Sequence, residues 1–383
     1  MAIQLYYDDS HLKEFEATVL SCEEAEKVYR IVLDQTAFFP EGGGQKADTG
    51  FIGSVPVIDV QTENGELVHY VKSPLETGRN YPCRIDWDKR FERMQNHSGE
   101  HIVSGIVHGL YGYDNVGFHM SEDVITIDFN GILEWDQLLD VEQKANEVIW
   151  NNVPIQAWFP SEEELASLDF RSKKELDEAV RLVRIGDVDL CACCAPHVSN
   201  TGEIGSIKIL SVMKHRGGVR IEMIAGKTAY MKLRSDYEQV KAVSQMLSAK
   251  HDEITASVSR VSEETEALKQ TIYELRMSIL QSRIDSYRDV TTGNICEFNT
   301  GLADSMCRDF INALVEKTDG IVGVFTGDDT IGYRYILGSK QVNLREVIGD
   351  INKALSGKGG GSPTMVQGTM NCKKEQIISY FKE

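Results

Sequence analysis

Residues 236–292 contain neither proline nor glycine, and apolar side chains recur through them every seven residues. Leu247, Ile254, Val261, Leu268 and Leu275 form one series; Val258, Thr265, Ile272 and Ile279 stand four positions after its members, with acids and bases between. This is a heptad pattern, and it predicts a long helix that must bury its seam. Two partners meet that need. One is the same helix of a second copy, giving a homodimer through this helix and the C-terminal domain; the other is the chain's own domains packed back on it.

The segments on either side differ in kind. Residues 1–90 alternate strand-like runs such as KVYRIVLD, SVPVIDVQ and ELVHYVK with turn signals at EGGGQ, ENGE and ETGRN, the pattern of a small β-barrel-like domain. Residues 91–235 mix a helix through QNHSGEHIVSG, a strand at VITIDF, a long helical run from Trp135 and strands near SIKILSV and GVRIEMIAG, which reads as α+β. Residues 236–290 form the helical, coiled-coil linker. Residues 291–383 read as a small α/β domain ending in a glycine-rich loop, GKGGGSPTMVQG, and a terminal helix. The chain as a whole is expected to be α+β.

Its 383 residues, 42% hydrophobic, suffice for several cores. No run approaches the roughly 18 to 20 uncharged apolar residues that span a bilayer. The start, MAIQLYYDDSHLKEFE, carries acids where a signal peptide has basic and then apolar residues. A cytoplasmic protein with no membrane partner is therefore expected. A formal net charge of -19 argues against indiscriminate nucleic-acid binding, which neutralises many phosphates with Lys and Arg. An RNA partner would need local basic patches: RSKK (171–174), KHRGGVR (214–220), or Lys358 with Lys373 and Lys374.

Of eight cysteines, three crowd into DLCACCAPH (189–197), which suggests metal or thiol chemistry rather than a disulfide framework. His97 and His101 are four apart on a predicted helix, so both imidazoles can reach one cation. Cys193 and His197 repeat that spacing about ninety residues later, and thiolate and imidazole are preferred zinc ligands. Cys191 and Cys194 are competing thiols; Cys193 is favoured for its spacing to His197. Four donors at once would close a structural shell, whereas a loose donor would admit water or substrate. Glu100 precedes the second histidine, so the metalloprotease motif is absent and a solvated helix residue is expected there.

Four stretches together resemble the alanyl-tRNA editing proteins, relatives of the editing domain of alanyl-tRNA synthetase. They are TAFFPEGGGQKADTG (36–50), NHSGEHIVSG (96–105), GFHMSEDVITIDF (117–129) and DLCACCAPHVSNTGEIG (189–205), in order over about the first 235 residues. The heptads and GKGGGSPTMVQG resemble the linker and C-terminal domain of the long form. Two departures stand out. The family's CGGTH is here Cys193-Cys194-Ala195-Pro196-His197, and Ser362 stands where the C-terminal loop commonly carries arginine.

The resemblance implies a trans-editing hydrolase, without an ATP-binding aminoacylation module, that deacylates mischarged tRNA for alanine bearing Ser or Gly. It implies Zn2+ on His97, His101, Cys193 and His197, a hydroxyl at Thr36 that senses the substrate side chain, and Gln45 as an amide donor and acceptor. Gly42, Gly43 and Gly44 would let substrate approach the backbone closely. A non-catalytic tRNA-binding or assembly protein around structural zinc is the alternative. A DHH-type phosphoesterase fails, for want of its metal-binding aspartate motif.

Overall fold

The computed structural model describes residues 2–121, 124–172, 180–287, 292–299 and 301–382. They form a mixed α+β chain in two compact units, residues 1–242 and 243–383. Among the described residues no helix is long and apolar enough to cross a membrane.

The first unit carries, before residue 86, six barrel strands: β1 (Glu14–Ala25), β2 (Val28–Leu33), β3 (Gly50–Ile52), β4 (Val55–Glu63), β5 (Glu66–Val71) and β6 (Asn80–Ile85). They pair antiparallel in the order β1-β2-β5-β4-β3-β6, and β6 returns to β1 to close a barrel. Strand side chains alternate between two faces, so every second residue points inward. Val19, Ile31, Leu33, Ile52, Val60, Val71 and Ile85 fill the interior. The β4–β5 hairpin turns on Asn64 and Gly65, both at positive φ (49° and 81°), as a two-residue turn matched to strand twist requires.

Helix α1 (Trp87–Tyr111) follows and ends on Gly112 in the left-handed region, φ 68°. Its first turns are fastened to the barrel domain by Arg90, which is fully buried. Arg90 Nε donates to Asp48 Oδ2 at 2.8 Å, Nη1 to Ser10 O at 3.1 Å and Nη2 to Ala37 O at 2.5 Å. A buried charge persists only when paired and hydrogen-bonded in this way.

Beyond α1 come β7 (Asn115–Met120), β8 (Ile125–Phe129), α2 (Trp135–Trp150), β9 (Ile155–Trp158), β10 (Leu182–Ile185), β11 (Asp189–Ala192), β12 (Ile207–His215) and β13 (Gly218–Ala225). One sheet runs β12-β13-β8-β7 and another β9-β10-β11. Val103 and Val107 of α1, Leu138 and Val141 of α2, and Ile127, Phe129 and Ile221 of the larger sheet share one core. A long helix, α3 (Gly226–Leu247), follows β13 and continues past residue 242.

The second unit contains α4 (Ile254–Ser286), β14 (Ile295–Phe298), α5 (Asp304–Leu314), β15 (Val322–Asp328), β16 (Gly332–Gly338), α6 (Leu344–Ala354), β17 (Gly357–Gly361), β18 (Met365–Met370) and α7 (Lys374–Lys382). Its sheet runs β14-β15-β16-β18-β17, with one parallel pair, β14 with β15, and antiparallel pairs elsewhere.

Two expectations are corrected here. The heptads are carried by two helices, not one. The chain leaves α3 at Ser248, φ 49°, and passes through a 3-10 turn at His251–Glu253 before α4 begins. Ser244 Oγ donates to Ala249 O at 2.6 Å and so caps the break. Along α4, Leu268 and Leu275 remain about 60% exposed. The glycine-rich stretch near the C-terminus is likewise a strand, not a loop. At Gly359 and Gly368 a Cβ would overlap neighbouring backbone and Tyr335 Oη, so the close pairing of β17 with β18 needs residues without side chains. Ser362 makes the turn between them, accepting from Met365 N–H at 3.0 Å.

Candidate functional site

Residues from two distant segments meet at one point. His97 and His101, one turn apart on α1, face the loop after β11, which supplies Cys193 and His197; one donor atom from each lies within 4.8 Å of all the others. Three of the four side chains are buried and Cys193 is nearly so. Cys193 Sγ is 3.6 Å from His97 Nε2 and 3.4 Å from His197 Nε2. Cys194 is exposed, and Cys191 is buried in β11 beside His101 and Asp189.

Each imidazole is held from behind through its other nitrogen. His101 Nδ1 donates to Asp189 Oδ2 at 2.8 Å, His97 Nδ1 donates to Gln45 Oε1 at 3.3 Å, and His197 Nδ1 lies 3.0 Å from Ser98 Oγ. Partners of this kind fix tautomer and ring orientation in histidine metal sites. All three Nε2 atoms are thereby left for the centre, and His101 Nε2 is buried without a hydrogen-bond partner. Three imidazoles and one thiol at this separation form a set that suits zinc.

At Cys193 and His197 electrostatics favour the forms a cation takes, whereas His101 would have to give up a proton to ligate. Burial opposes ionisation of Cys193, but His97, His101 and His197 around it outweigh burial and hold its pKa well below the thiol range. His197 is pushed down to about 3, chiefly by burial, and so stays neutral. For His101 burial again works against the charge, yet the Asp189 hydrogen bond and Cys193 raise its pKa well above the ordinary value. A deprotonated sulfur beside imidazole nitrogens is the ligand state that metal binding requires.

The glycine segment lies against this centre. A Cβ on Gly43 (φ 59°) would stand 3.5 Å from Cys194 Sγ and 3.9 Å from His97 Cε1; one on Gly44 (φ 81°) would strike the Phe118 ring, itself 5.1 Å from the His97 ring. Gly42 approaches Cys194. Gln45 is buried, and its Nε2 has no hydrogen-bond partner. A cavity of about 580 Å³ opens nearby, lined among others by Glu41, Lys46, Arg93 and Asn96, the residue before His97. Thr36 bonds elsewhere: its Oγ1 is 2.8 Å from His69 Nε2 and accepts from Phe38 N–H at 3.1 Å. It joins the site through the chain segment 36–45, in which Phe39 packs with Tyr6 and Ala195.

The first unit matches a family described as tRNA synthetases class II (A) over residues 5–89 and one described as Threonyl and Alanyl tRNA synthetase second additional domain over residues 180–222. The alanyl-tRNA editing protein AlaX-L of Pyrococcus horikoshii is 29% identical across all of this chain and 98% of its own length. Along its whole length the chain is similar to alanyl-tRNA editing proteins. The alanyl-tRNA editing protein Aarsd1 of Danio rerio is 26% identical over 98% of this chain and 96% of its own length. The alanine–tRNA ligase of Pyrococcus abyssi is 30% identical over 99% of this chain, which spans 43% of that enzyme.

Several residues around the centre were not singled out in the sequence. Asp189 holds His101 and also accepts from Arg171 Nε at 2.8 Å, Arg181 Nη1 donates to the carbonyls of Cys193 and Ala195, and Ser98 and Phe118 flank the imidazoles. Asp189 and Ser98 stand inside the two metal-like motifs, so proximity in sequence was their one signal. Glu100 corrects an expectation: it is fully buried, accepting from Ser104 Oγ at 2.5 Å and Asn115 Nδ2 at 2.6 Å, because its face of α1 turns inward. The basic patches also change. Arg171 is tied to Asp189, Arg220 to Asp128 at 2.6 Å, while Lys173 and Lys174 lie outside the described residues.

Proposed function

We propose that this chain hydrolyses the ester of mischarged tRNA for alanine, seryl and glycyl esters among them, acting in trans with zinc held by His97, His101, Cys193 and His197. The reading is carried by the convergence of four N and S donors against a glycine turn. When bound, zinc supplies Lewis acidity, able to polarise an ester carbonyl or acidify water. The chain's own groups do the rest. Gln45 orients His97 through Oε1 and leaves a buried amide N–H free to donate to substrate. Gly42 and Gly43 let the aminoacyl end pass close to the backbone. Thr36 senses the amino-acid side chain.

Deacylation of seryl-, glycyl- and alanyl-tRNA for alanine, with and without a chelator, tests the reading. Hydrolysis of the mischarged esters that is lost with metal, and lost again in the His97→Ala/His101→Ala double variant, is expected. Equal hydrolysis by that variant, folded, would remove the metal from the chemistry. Because all four donors are largely buried, a structural zinc is the second reading. Unfolding on metal removal, with no measurable deacylation beforehand, would favour it. The exposed seam of α4 supports a homodimer through this helix and the C-terminal region.

A further inference from the structure

Residues 193–197 carry Cys193 and His197 and lie outside any helix or strand, so the carbonyls there must find donors elsewhere. Pro196 has no N–H to offer a ladder. Side chains supply the donors, at every second residue. Arg181 Nη1, from the residue before β10, donates to Cys193 O at 3.1 Å and to Ala195 O at 2.9 Å, while the Arg181 carbonyl accepts from Cys193 N–H at 3.0 Å. Ser10 Oγ, in the segment ahead of the barrel, donates to His197 O at 2.8 Å. That segment supports the loop twice more: the Tyr7 ring lies under the Arg181 guanidinium, 5.0 Å away, and Tyr6 packs with Ala195. Ser10 is itself anchored, its carbonyl accepting from the fully buried Arg90. His97 and His101 differ, because they ride on α1, whose own hydrogen bonds fix their spacing.

Resting on the zinc reading above, we infer that Arg181 and Ser10 are positioning residues of the centre: by holding the carbonyls of Cys193, Ala195 and His197 they keep thiol and imidazole at ligating separation, so that the shape of the loop does not depend on the ion. The separation they maintain is 3.4 Å between Cys193 Sγ and His197 Nε2. An ion that meets a loop already shaped does not have to order it, and the ordering cost avoided appears as affinity. The segment ahead of the barrel thereby sets how tightly ligands from α1 and from the loop after β11 bind metal. Partners behind metal ligands change affinity about 10- to 100-fold, and each of these two donors acts on a peptide plane that carries a ligand.

The test uses the whole protein, stripped of metal and titrated with Zn2+ against a chelating dye, then with Co2+, whose ligand-field and thiolate-to-cobalt bands report the geometry of the shell. Four variants are compared with wild type: Ser10→Ala, Ser10→Thr, Arg181→Met and Thr228→Val. Zinc affinity is expected to fall about tenfold in Ser10→Ala, at least as far in Arg181→Met, and to return in Ser10→Thr, which keeps the hydroxyl. At saturating Co2+ the bands of Arg181→Met should shift. Thr228→Val removes a hydrogen bond of the same kind, from Thr228 Oγ1 to Glu92 on α1 at 2.5 Å, and should leave affinity and bands at wild-type values. Ser10→Ala deletes one oxygen, so the test stands even where Arg181→Met does not fold. Unchanged affinity in folded Ser10→Ala overturns the inference while leaving the zinc reading intact, and so does an equal loss in Thr228→Val, the mark of general loosening. Wild-type protein that binds neither ion removes the zinc reading itself.

Discussion

Asp189 holds two cationic groups, His101 through one oxygen and Arg171 through the other. Changing it to Asn preserves shape but removes the charge that fixes His101. Zinc affinity should then fall about 10- to 100-fold, read by competition with a chelating dye; equal affinity would show that the carboxylate is dispensable. His69 makes a prediction about stability. Burial holds its native pKa at about 4, below the ordinary 6.5, so the unfolded chain binds this proton first as pH falls. Its contribution is full above about pH 6.5, shrinks down to about pH 4 and changes no further below that, on the order of 3 kcal/mol in all. Denaturant titrations at pH 7 and 4.5 should show the wild type losing more than His69→Gln. The convergence of His97, His101, Cys193 and His197 was legible because residue type and spacing carry metal chemistry. Asp189, Ser98 and His69 were not, because a polar residue's partner is set by which strand or helix comes to lie beside it. Glu100 was misread for the same reason: nothing in its neighbours in sequence says that both sides of α1 are covered.

At the scale of elements, Gly44 links the barrel domain to the centre. Gly44→Ala would force a positive-φ alanine and place its Cβ 2.5 Å from Phe118 Cδ1. A loss of about 1–3 kcal/mol is expected in thermal or denaturant melting, with deacylation falling further than stability because Gln45 moves with the turn. Melting and activity equal to wild type would mean the turn has slack. The barrel strands could be read from alternation and from the Asn-Gly turn, since both are local. The interruption between α3 and α4 could not. No Pro or Gly marks it, and Ser248 reaches its left-handed conformation only with the bonds that the following turn supplies. The glycines of β17 pointed to a loop on composition, whereas they serve an edge strand packed too closely for side chains.

For the molecule as a whole, the heptad seam is the feature that a single copy leaves uncovered along α4, with Val258, Leu268, Ile272 and Leu275 all exposed. Leu268→Glu with Leu275→Glu should convert a dimer into a monomer in sedimentation without changing the melting of the first unit. A wild-type protein that sediments as a monomer would assign the seam to some other partner. The centre, for its part, depends on the order in which the chain is made. The last barrel strand ends at Ile85, but the fourth donor is residue 197. On the ribosome the barrel can close while His97 and His101 still wait for sulfur, so roughly a hundred further residues must emerge before all four side chains can meet. Synthesis in zinc-starved cells should consequently yield a nascent chain whose amino-terminal domain resists protease early and whose α1 becomes protected late.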